Sequence, residues 1–460
     1  MSVDVVILAA GQGSRMKSAM PKVLHKVGGK PMVQHVIDTA RTLNAADLHV
    51  VIGHGADQVR ELLNSQNINV VLQAEQLGTG HAVAQAMPAV TADGVTLVLY
   101  GDVPMIRSET LTQMVILADQ DNLALLTVNL TDPTGYGRIV RDAASHAVQA
   151  IVEHKDANAV QLAINEVNTG ILAVPSRWLQ QWLPQLSANN AQGEYYLTDI
   201  IAMAASQGVT IAAIQPEAEQ EVQGVNNRLQ LSELERWYQS RQAEQLMLAG
   251  VTLADPARID LRGNLTTGQD VYLDINLVVE GDVTLGDNVV IEANCCLKDC
   301  RIASGCHIKA NTVIEQADLG PDCEVGPYAR LRPGTKLAAK AKVGNFVETK
   351  KTVVGEGSKI NHLSYIGDAE LGAGVNVGAG TITCNYDGVN KSRTEIQDGA
   401  FIGSNSSLVA PVTIGAQATI GAGSTITKNV QPDALALTRA KQAQIENWPR
   451  PRKNTQKGEQ

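Results

Sequence analysis

Aromatic residues are nearly missing from this chain, with two Phe, four Trp and nine Tyr in 460 residues. A core built on stacked rings is thereby excluded, and any interior must be filled by Ile, Val and Leu. Positive charge is also short. Thirty-seven Lys and Arg stand against 47 Asp and Glu, a formal net charge of −10. That argues against general nucleic-acid binding, which calls for a basic surface. No apolar run reaches the ~20 residues that cross a bilayer, so no membrane partner is expected. The start, Met1-Ser2-Val3-Asp4, does not read as a signal peptide. Cysteine is absent before residue 295. Cys295, Cys296, Cys300, Cys306 and Cys323 cluster there, with Cys384 apart. A zinc cluster is one reading. The preferred one makes Cys295, Cys306 and Cys323 compact buried fillers, in a reducing, cytoplasmic setting.

What the sequence has instead is a period of six between about Leu285 and Ile426. Aliphatic residues recur at Leu285, Ile291 and Leu297, then at Ile302, Ile308 and Ile314. They continue at Leu319, Val325, Leu331, Leu337 and Val343, at Val354, Ile360 and Ile366, and at Leu371 and Val377. A last run is Ile396, Ile402, Leu408, Ile414, Ile420 and Ile426. Neither a helix nor an alternating strand has this period. It matches the hexapeptide repeat of a parallel β-helix, whose short strands stack as coils about 4.8 Å apart. A sandwich of evenly spaced strands is the plainer alternative, but does not hold one register so long.

The first half alternates differently. Apolar runs at 3–10, 48–53, 70–73, 95–100 and 123–130 read as strands, with helix-like stretches at 33–43, 56–63, 81–87 and 109–118 between them. This predicts a parallel sheet with helices on both faces and a ligand beyond the carboxyl ends of the strands. After the first strand comes Gly11-Gln12-Gly13-Ser14-Arg15-Met16. It lacks the Gly-Lys-Ser/Thr ending of a Walker A loop, and Met16 stands where a dinucleotide fingerprint has its third Gly. Arg15 and Lys22 make it more than a turn: two cations plus backbone N–H groups suit a triphosphate, ordinary surface charge being the alternative. Gln73, before Gly78-Thr79-Gly80, can read a base edge. Tyr100-Gly101-Asp102 ends a strand, where a carboxylate can hold Mg²⁺ between phosphates. Further loops are Gly135-Tyr136-Gly137-Arg138, Glu153-His154-Lys155, Asn168-Thr169-Gly170, Gly193-Glu194-Tyr195-Tyr196 and Val225-Asn226-Asn227-Arg228. Residues 229–249 read as one helix, with Ser232 and Glu235 as a possible capping box and Leu234, Trp237 and Tyr238 as an apolar stripe.

In order and spacing these motifs resemble the sugar nucleotidyltransferases, and the hexad tract resembles the left-handed β-helix acyltransferases. Over nearly all its length the chain is similar to the bacterial bifunctional enzymes that join an N-acetylglucosamine-1-phosphate uridyltransferase to a glucosamine-1-phosphate N-acetyltransferase. The resemblance implies an α/β, Rossmann-like nucleotidyltransferase domain at 1–228, a linker helix at 229–249, and a left-handed parallel β-helix with its tail at 250–460. It implies a cytoplasmic homotrimer serving cell-wall sugar synthesis, with UTP and acetyl-CoA as co-substrates and Mg²⁺ as cofactor. Leu8, Ala9, Ala10, Gly11, Gln73, Gly78 and Thr79 would meet the nucleotide, alongside Tyr100 and Gly101. Arg15 and Lys22 would stabilise charge moving onto pyrophosphate. Asp102 and Asn226 would hold Mg²⁺, and Gly137, Glu153 and Asn168 the sugar. Gln12 and Ser14 depart from a family that often has Lys and Thr there.

In the repeat tract, Arg332 and Lys350 are eighteen apart and would be vertical neighbours in a three-hexad coil. Stacked cations want an anion. Near them is Asn361-His362-Leu363-Ser364-Tyr365. The resemblance makes His362 the general base, with Arg332, Lys350, Tyr365 and Asn376 on the amino-sugar phosphate. The frame breaks between Thr383 and Ile396, so Cys384–Gly388 should project as a loop. Tyr386, Ser404 and Ala422, each eighteen apart, are expected to line one groove. Ala379, Asn385, Tyr386, Ser404, Ala422 and Arg439 would meet acetyl-CoA, with basic residues of the 438–460 tail, among them Lys441, Arg450, Arg452 and Lys453, as further candidates for its phosphates, although past Pro451 disorder is the preferred reading. Two alternatives remain: a nucleotidyltransferase with a regulatory β-helix, such as a glucose-1-phosphate adenylyltransferase, and a noncatalytic assembly subunit.

Overall fold

The computed structural model describes residues 2–451. Arg452 and Lys453 lie outside them. Contacts divide the chain into two units, one of residues 1–245 with Asp260–Gly263, the other of 246–259 and 264–460.

The first unit is built on a sheet with strands in the order Ile211–Ile214, Leu123–Asn129, Glu166–Pro175, Val95–Tyr100, Val3–Ala9, Asp47–Ile52 and Asn69–Leu72. Helices cover both faces. Met32–Arg41, Ala56–Leu63 and Ser108–Asp119 pack on one side through residues such as Val36, Val59 and Leu111. Thr79–Ala86, Ser176–Trp182 and Asp199–Ser206 pack on the other through Val83, Leu179 and Ile200.

The sheet is mixed, which corrects the expected all-parallel arrangement. Glu166–Pro175 runs antiparallel to both its neighbours, reached through the hairpin Arg138–Arg141 and Val148–Val152. Its register shifts between Asn168 and Leu172. Asn168-Thr169-Gly170 is therefore a bulge within a strand, and the glycine and polar residues that suggested a loop mark where pairing breaks.

The helix read at 229–249 spans Arg228–Leu248. Ser232 lies inside it, so the expected capping box is not there. Asn227 takes that role: its side chain accepts the Gln230 N–H at 2.9 Å, while the Gln230 side chain accepts the Asn226 N–H at 2.8 Å. Leu234 is buried in a cluster with Met16, Val27, Met32, Met105 and Val225, with Trp237 and Tyr238 packed on it. Tyr238 meets the His35 ring edge-on, and a Cβ on Gly28 would stand 2.2 Å from Tyr238 Cε1. Most of this helix is thus part of the first unit, and its aromatic pair is packing.

The second unit is a parallel β-helix that starts at Thr252, before the regular hexads. Each aliphatic residue of the six-residue frame is buried. Coil follows coil in parallel register, as at Lys342↔Lys359↔Asn376 on one face and Glu348↔Tyr365↔Ile382 on another. Where the aliphatic frame skipped, Thr349 and Thr383 fill the slot, paired with Ile366 and Leu408. Their hydroxyls are satisfied inside: Thr349 by Thr335 at 3.0 Å, Thr383 by the Gly367 carbonyl at 3.0 Å. The buried thiols of Cys295, Cys306 and Cys323 donate to the carbonyls of Lys309, Gly320 and Ala338.

Candidate active sites

The first site lies at the carboxyl ends of three strands. A cleft of about 510 Å³ is lined there by Leu8, Ala9, Ala10 and Gly11 from the first strand and its loop. Gln73, Gly78, Thr79, Tyr100, Asp102 and Lys22 also line it, as do Gln12, Gln76 and Glu194, which carried no assignment from sequence. A Cβ on Gly11 would meet nothing within 4 Å, so the loop is open to the cleft. At Gly13, with φ of +60°, a Cβ would come within 2.6 Å of Lys22 Cβ. Glycine there lets Lys22 cross beneath the loop.

Lys22 Nζ pairs with Asp102 and donates to Asn226 Oδ1 at 3.2 Å, an oxygen that also accepts from Arg15 at 2.9 Å. The Val225 N–H donates to the Asp102 carbonyl at 3.0 Å, which carries Asn226 to the strand end. Two hard oxygens therefore flank one cationic nitrogen. Among the described residues no group of three or more His, Cys, Asp or Glu could hold a metal. The Asp102–Asn226 pair suits Mg²⁺, which keeps most of its ligands from phosphate and water.

Gly137, Glu153 and Asn168 come together outside the cleft lining. The Asn168 N–H donates to the Gly137 carbonyl at 2.8 Å, and a Cβ on Gly137 would lie 3.3 Å from Glu153 Oε2. Burial raises the Glu153 pKa, against the bond it accepts from Thr198 at 3.1 Å. Tyr100 joins the two groups. It lines the cleft, and burial, then the charges of Glu153 and Asp102, push its hydroxyl well above the usual range. Gly101 donates to the Leu8 carbonyl at 2.9 Å, tying the two strand ends together.

The second site forms on one column of the β-helix. Asn345 pairs with His362. The Gly380 N–H reaches the His362 carbonyl and the Asn405 N–H the Ala379 carbonyl, at 3.4 and 2.7 Å. That register sets Ala379 over His362 and Ser404 over Ala379. The Gly423 N–H donates to the Ser404 carbonyl at 2.8 Å, placing Ala422 next, and a Cβ on Gly423 would lie 3.9 Å from Arg439 Cδ. Tyr386 is not in this column, contrary to the eighteen-residue count. Asn376 pairs with Phe401, so this coil is 401 − 376 = 25 residues long. The additional residues form the expected projecting loop, leaving Tyr386 58% exposed, its hydroxyl donating to the Gly388 carbonyl. Asn385 is buried and bonds Asp368.

His362 is exposed, and its Nδ1 lies 2.7 Å from Asn345 Oδ1. Arg332 and Lys350 are neighbours, since the Arg332 N–H donates to the Thr349 carbonyl at 2.9 Å. Two residues join them without sequence warning. Glu348 takes Arg332 Nη1 at 2.7 Å, and Lys391 stands close to Lys350. The neighbouring Lys391 ammonium, then burial and the charge of Arg332, lower the Lys350 pKa. Glu348, Glu315 and Asp368 also act on these cations, and two ammonium groups side by side, Lys350 and Lys391, are the arrangement that favours a bound anion. Tyr365 starts the strand that pairs with Glu348. Asn376 sits three residues before Ala379, at the far end of its strand, and is not brought to His362 within this chain.

The family model of the MobA-like NTP transferase domain matches residues 5–167, that of the GMPPB C-terminal domain 261–354, and that of the bacterial transferase hexapeptide 393–428. The bifunctional protein GlmU of Marinobacter nauticus is 65% identical over 98% of this chain and 99% of its own length. The chain belongs to the bifunctional GlmU family. GlmU of Cellvibrio japonicus is 61% identical and that of Pseudomonas entomophila 60%, each over 98% of this chain and 99% of the relative. As a member of that family, this is a bifunctional transferase, with uridyltransferase and acetyltransferase activities. Its Rossmann-like unit is the nucleotidyltransferase, and its hexapeptide unit is the left-handed β-helix of the acyltransferase.

Proposed function

We propose that the chain moves an acetyl group from acetyl-CoA to glucosamine-1-phosphate on the β-helix, then joins the product to UTP in the glycine-loop cleft. The observation that carries this reading is that one chain holds two chemically independent clusters, Lys22–Asp102–Asn226 with Arg15, and His362 with Asn345 beside Arg332, Lys350 and Lys391.

In the cleft, a phosphate oxygen of N-acetylglucosamine-1-phosphate attacks the α-phosphorus of UTP. The bond to the bridging oxygen breaks, and UDP-N-acetylglucosamine and pyrophosphate result. The attacking oxygen is already an anion, so placement and charge neutralisation suffice. Lys22 and Arg15 take charge from the leaving pyrophosphate. Leu8 to Gly11, Gln73, Gly78 and Thr79 hold the nucleotide, with Tyr100 and Gly101 below it and Gly137, Glu153 and Asn168 on the sugar. Asp102 and Asn226 would hold Mg²⁺, which supplies further positive charge between phosphates.

On the β-helix, the Nδ1–H of His362 donates to Asn345, leaving the lone pair on Nε2. Nε2 takes a proton from the glucosamine amine as its nitrogen attacks the thioester carbonyl and the coenzyme A thiolate departs. The Ala379 N–H faces the developing oxyanion. Arg332, Lys350, Tyr365 and Asn376 hold the sugar phosphate. Asn385, Tyr386, Ser404, Ala422 and Arg439 hold the pantetheine arm and phosphates of acetyl-CoA.

Assembly as a homotrimer fits an exposed apolar ladder beside His362. Tyr328 stacks on Phe346 at 5.3 Å, with Leu363 on the next coil, the three 53%, 55% and 62% exposed. A second copy covering the ladder could also bring in its Asn376. A cytoplasmic setting is in keeping with the buried thiols; among the described residues no helix is long and apolar enough to cross a membrane. The test assays both half-reactions on the purified chain. His362→Ala should abolish acetyl transfer and spare uridyl transfer, and Asp102→Ala should do the reverse. Equal loss of both activities in either variant overturns the reading.

A further inference from the structure

Gln73 is 3% exposed, yet its carboxamide reaches the nucleotide cleft. Its backbone N–H is fixed to the Ile52 carbonyl at 2.8 Å. Two contacts fix the side chain. One end lies 3.2 Å from the Gly78 carbonyl oxygen and 3.1 Å from His81 Nδ1. A carbonyl oxygen only accepts, so the end beside it is the amino group. The second amino hydrogen then points to His81, whose Nδ1 must carry a lone pair. The His81 proton therefore sits on Nε2, 3.1 Å from Gln85 Nε2; two donors cannot face each other, so the Gln85 carboxamide is assigned the other way round, with its oxygen accepting from His81. His81 and Gln85 are four residues apart on the helix Thr79–Ala86 and share a face. Gly78, at φ of +114°, holds its carbonyl in place, since a Cβ there would stand 2.6 Å from the Tyr195 carbonyl.

Both amino hydrogens of Gln73 are thus committed, and only its oxygen is left for a base. We propose that His81, acting through Gln73, makes the nucleotide site select uracil over cytosine. The proposal rests on the uridyl-transfer reading above. Uracil presents an N3–H, which the Gln73 oxygen accepts. Cytosine presents a lone pair at N3, which that oxygen repels, and the carboxamide cannot turn without giving up both the Gly78 and His81 contacts. His81 is a positioning residue: without it only the Gly78 carbonyl holds the amide, and turning the amino group to cytosine costs one contact fewer.

The measurement is the ratio of kcat/KM for UTP to that for CTP, with N-acetylglucosamine-1-phosphate and Mg²⁺, on the full-length enzyme. His81→Leu should lower the ratio by about tenfold or more, chiefly by lowering KM for CTP, with acetyl transfer unchanged. His81→Asn, whose oxygen can take the place of Nδ1, should keep most of the ratio. If His81→Leu does not fold, the ratio is read on Gln85→Met, which frees the ring tautomer and should lower it less. An unchanged ratio in the folded variant overturns the proposal. A parent enzyme that turns over neither UTP nor CTP would instead overturn the uridyl-transfer reading beneath it.

Discussion

Single atoms decide much of the cleft. The Gly13 Cβ position is occupied by Lys22, and the backbone there is left-handed, so Gly13→Ala forces the lysine aside or unwinds the loop. Uridyl transfer should fall by about tenfold to a hundredfold while acetyl transfer is untouched, as measured by the paired half-reactions. Lys22, Asp102 and Gly13 were legible in sequence because each belongs to a short motif. Glu348, Lys391 and Asn345 were not. They come from other coils or from the loop, and only folding puts them beside Arg332, Lys350 and His362.

Elements set the register that these residues obey. The hexads predicted the stacking of Arg332 on Lys350, because the coil between them has the regular length. They misplaced Tyr386, because an insertion adds to one coil without changing the rungs on either side. The bulge at 168–170 and the antiparallel strand around it were equally hidden, since strand direction leaves no mark on a short apolar run. Ion pairs also follow the rungs. Glu324 sits between Lys309 and Lys342, and the bond from Lys309, then that from Lys342, hold its carboxyl down to about 2. A lowered carboxyl pKa stabilises the fold above the ordinary value of 4.5, and that contribution is lost as pH falls toward 2. The side chain is about a third exposed, so solvent screens it. Glu324→Gln should cost under about 1 kcal/mol at neutral pH. The gap in melting temperature between variant and parent, followed by thermal unfolding from about pH 6 to about pH 2, should close at the acid end.

At the scale of the whole molecule, two units carry two chemistries. The ladder of Tyr328, Phe346 and Leu363 leaves apolar surface beside His362, the surface proposed above to meet a second copy. Phe346→Asp keeps a residue tolerant of the left-handed backbone there, where φ is +55°, but places charge in the ladder. Sedimentation should show dissociated subunits, and acetyl transfer should fail while uridyl transfer persists. Trimers with full acetyl transfer would remove the ladder from the interface. The sequence by itself determined both folds and pointed to most of the residues that the structure gathers into the two clusters, because periodicity and glycine-rich motifs are local properties of a chain. Tertiary structure alone decided where an insertion takes Tyr386 out of its column, where Gln73 turns its oxygen, and which acid or amide partners each cation and the histidine. Those choices depend on backbone groups from distant segments meeting at hydrogen-bond distance, and no local pattern encodes that distance.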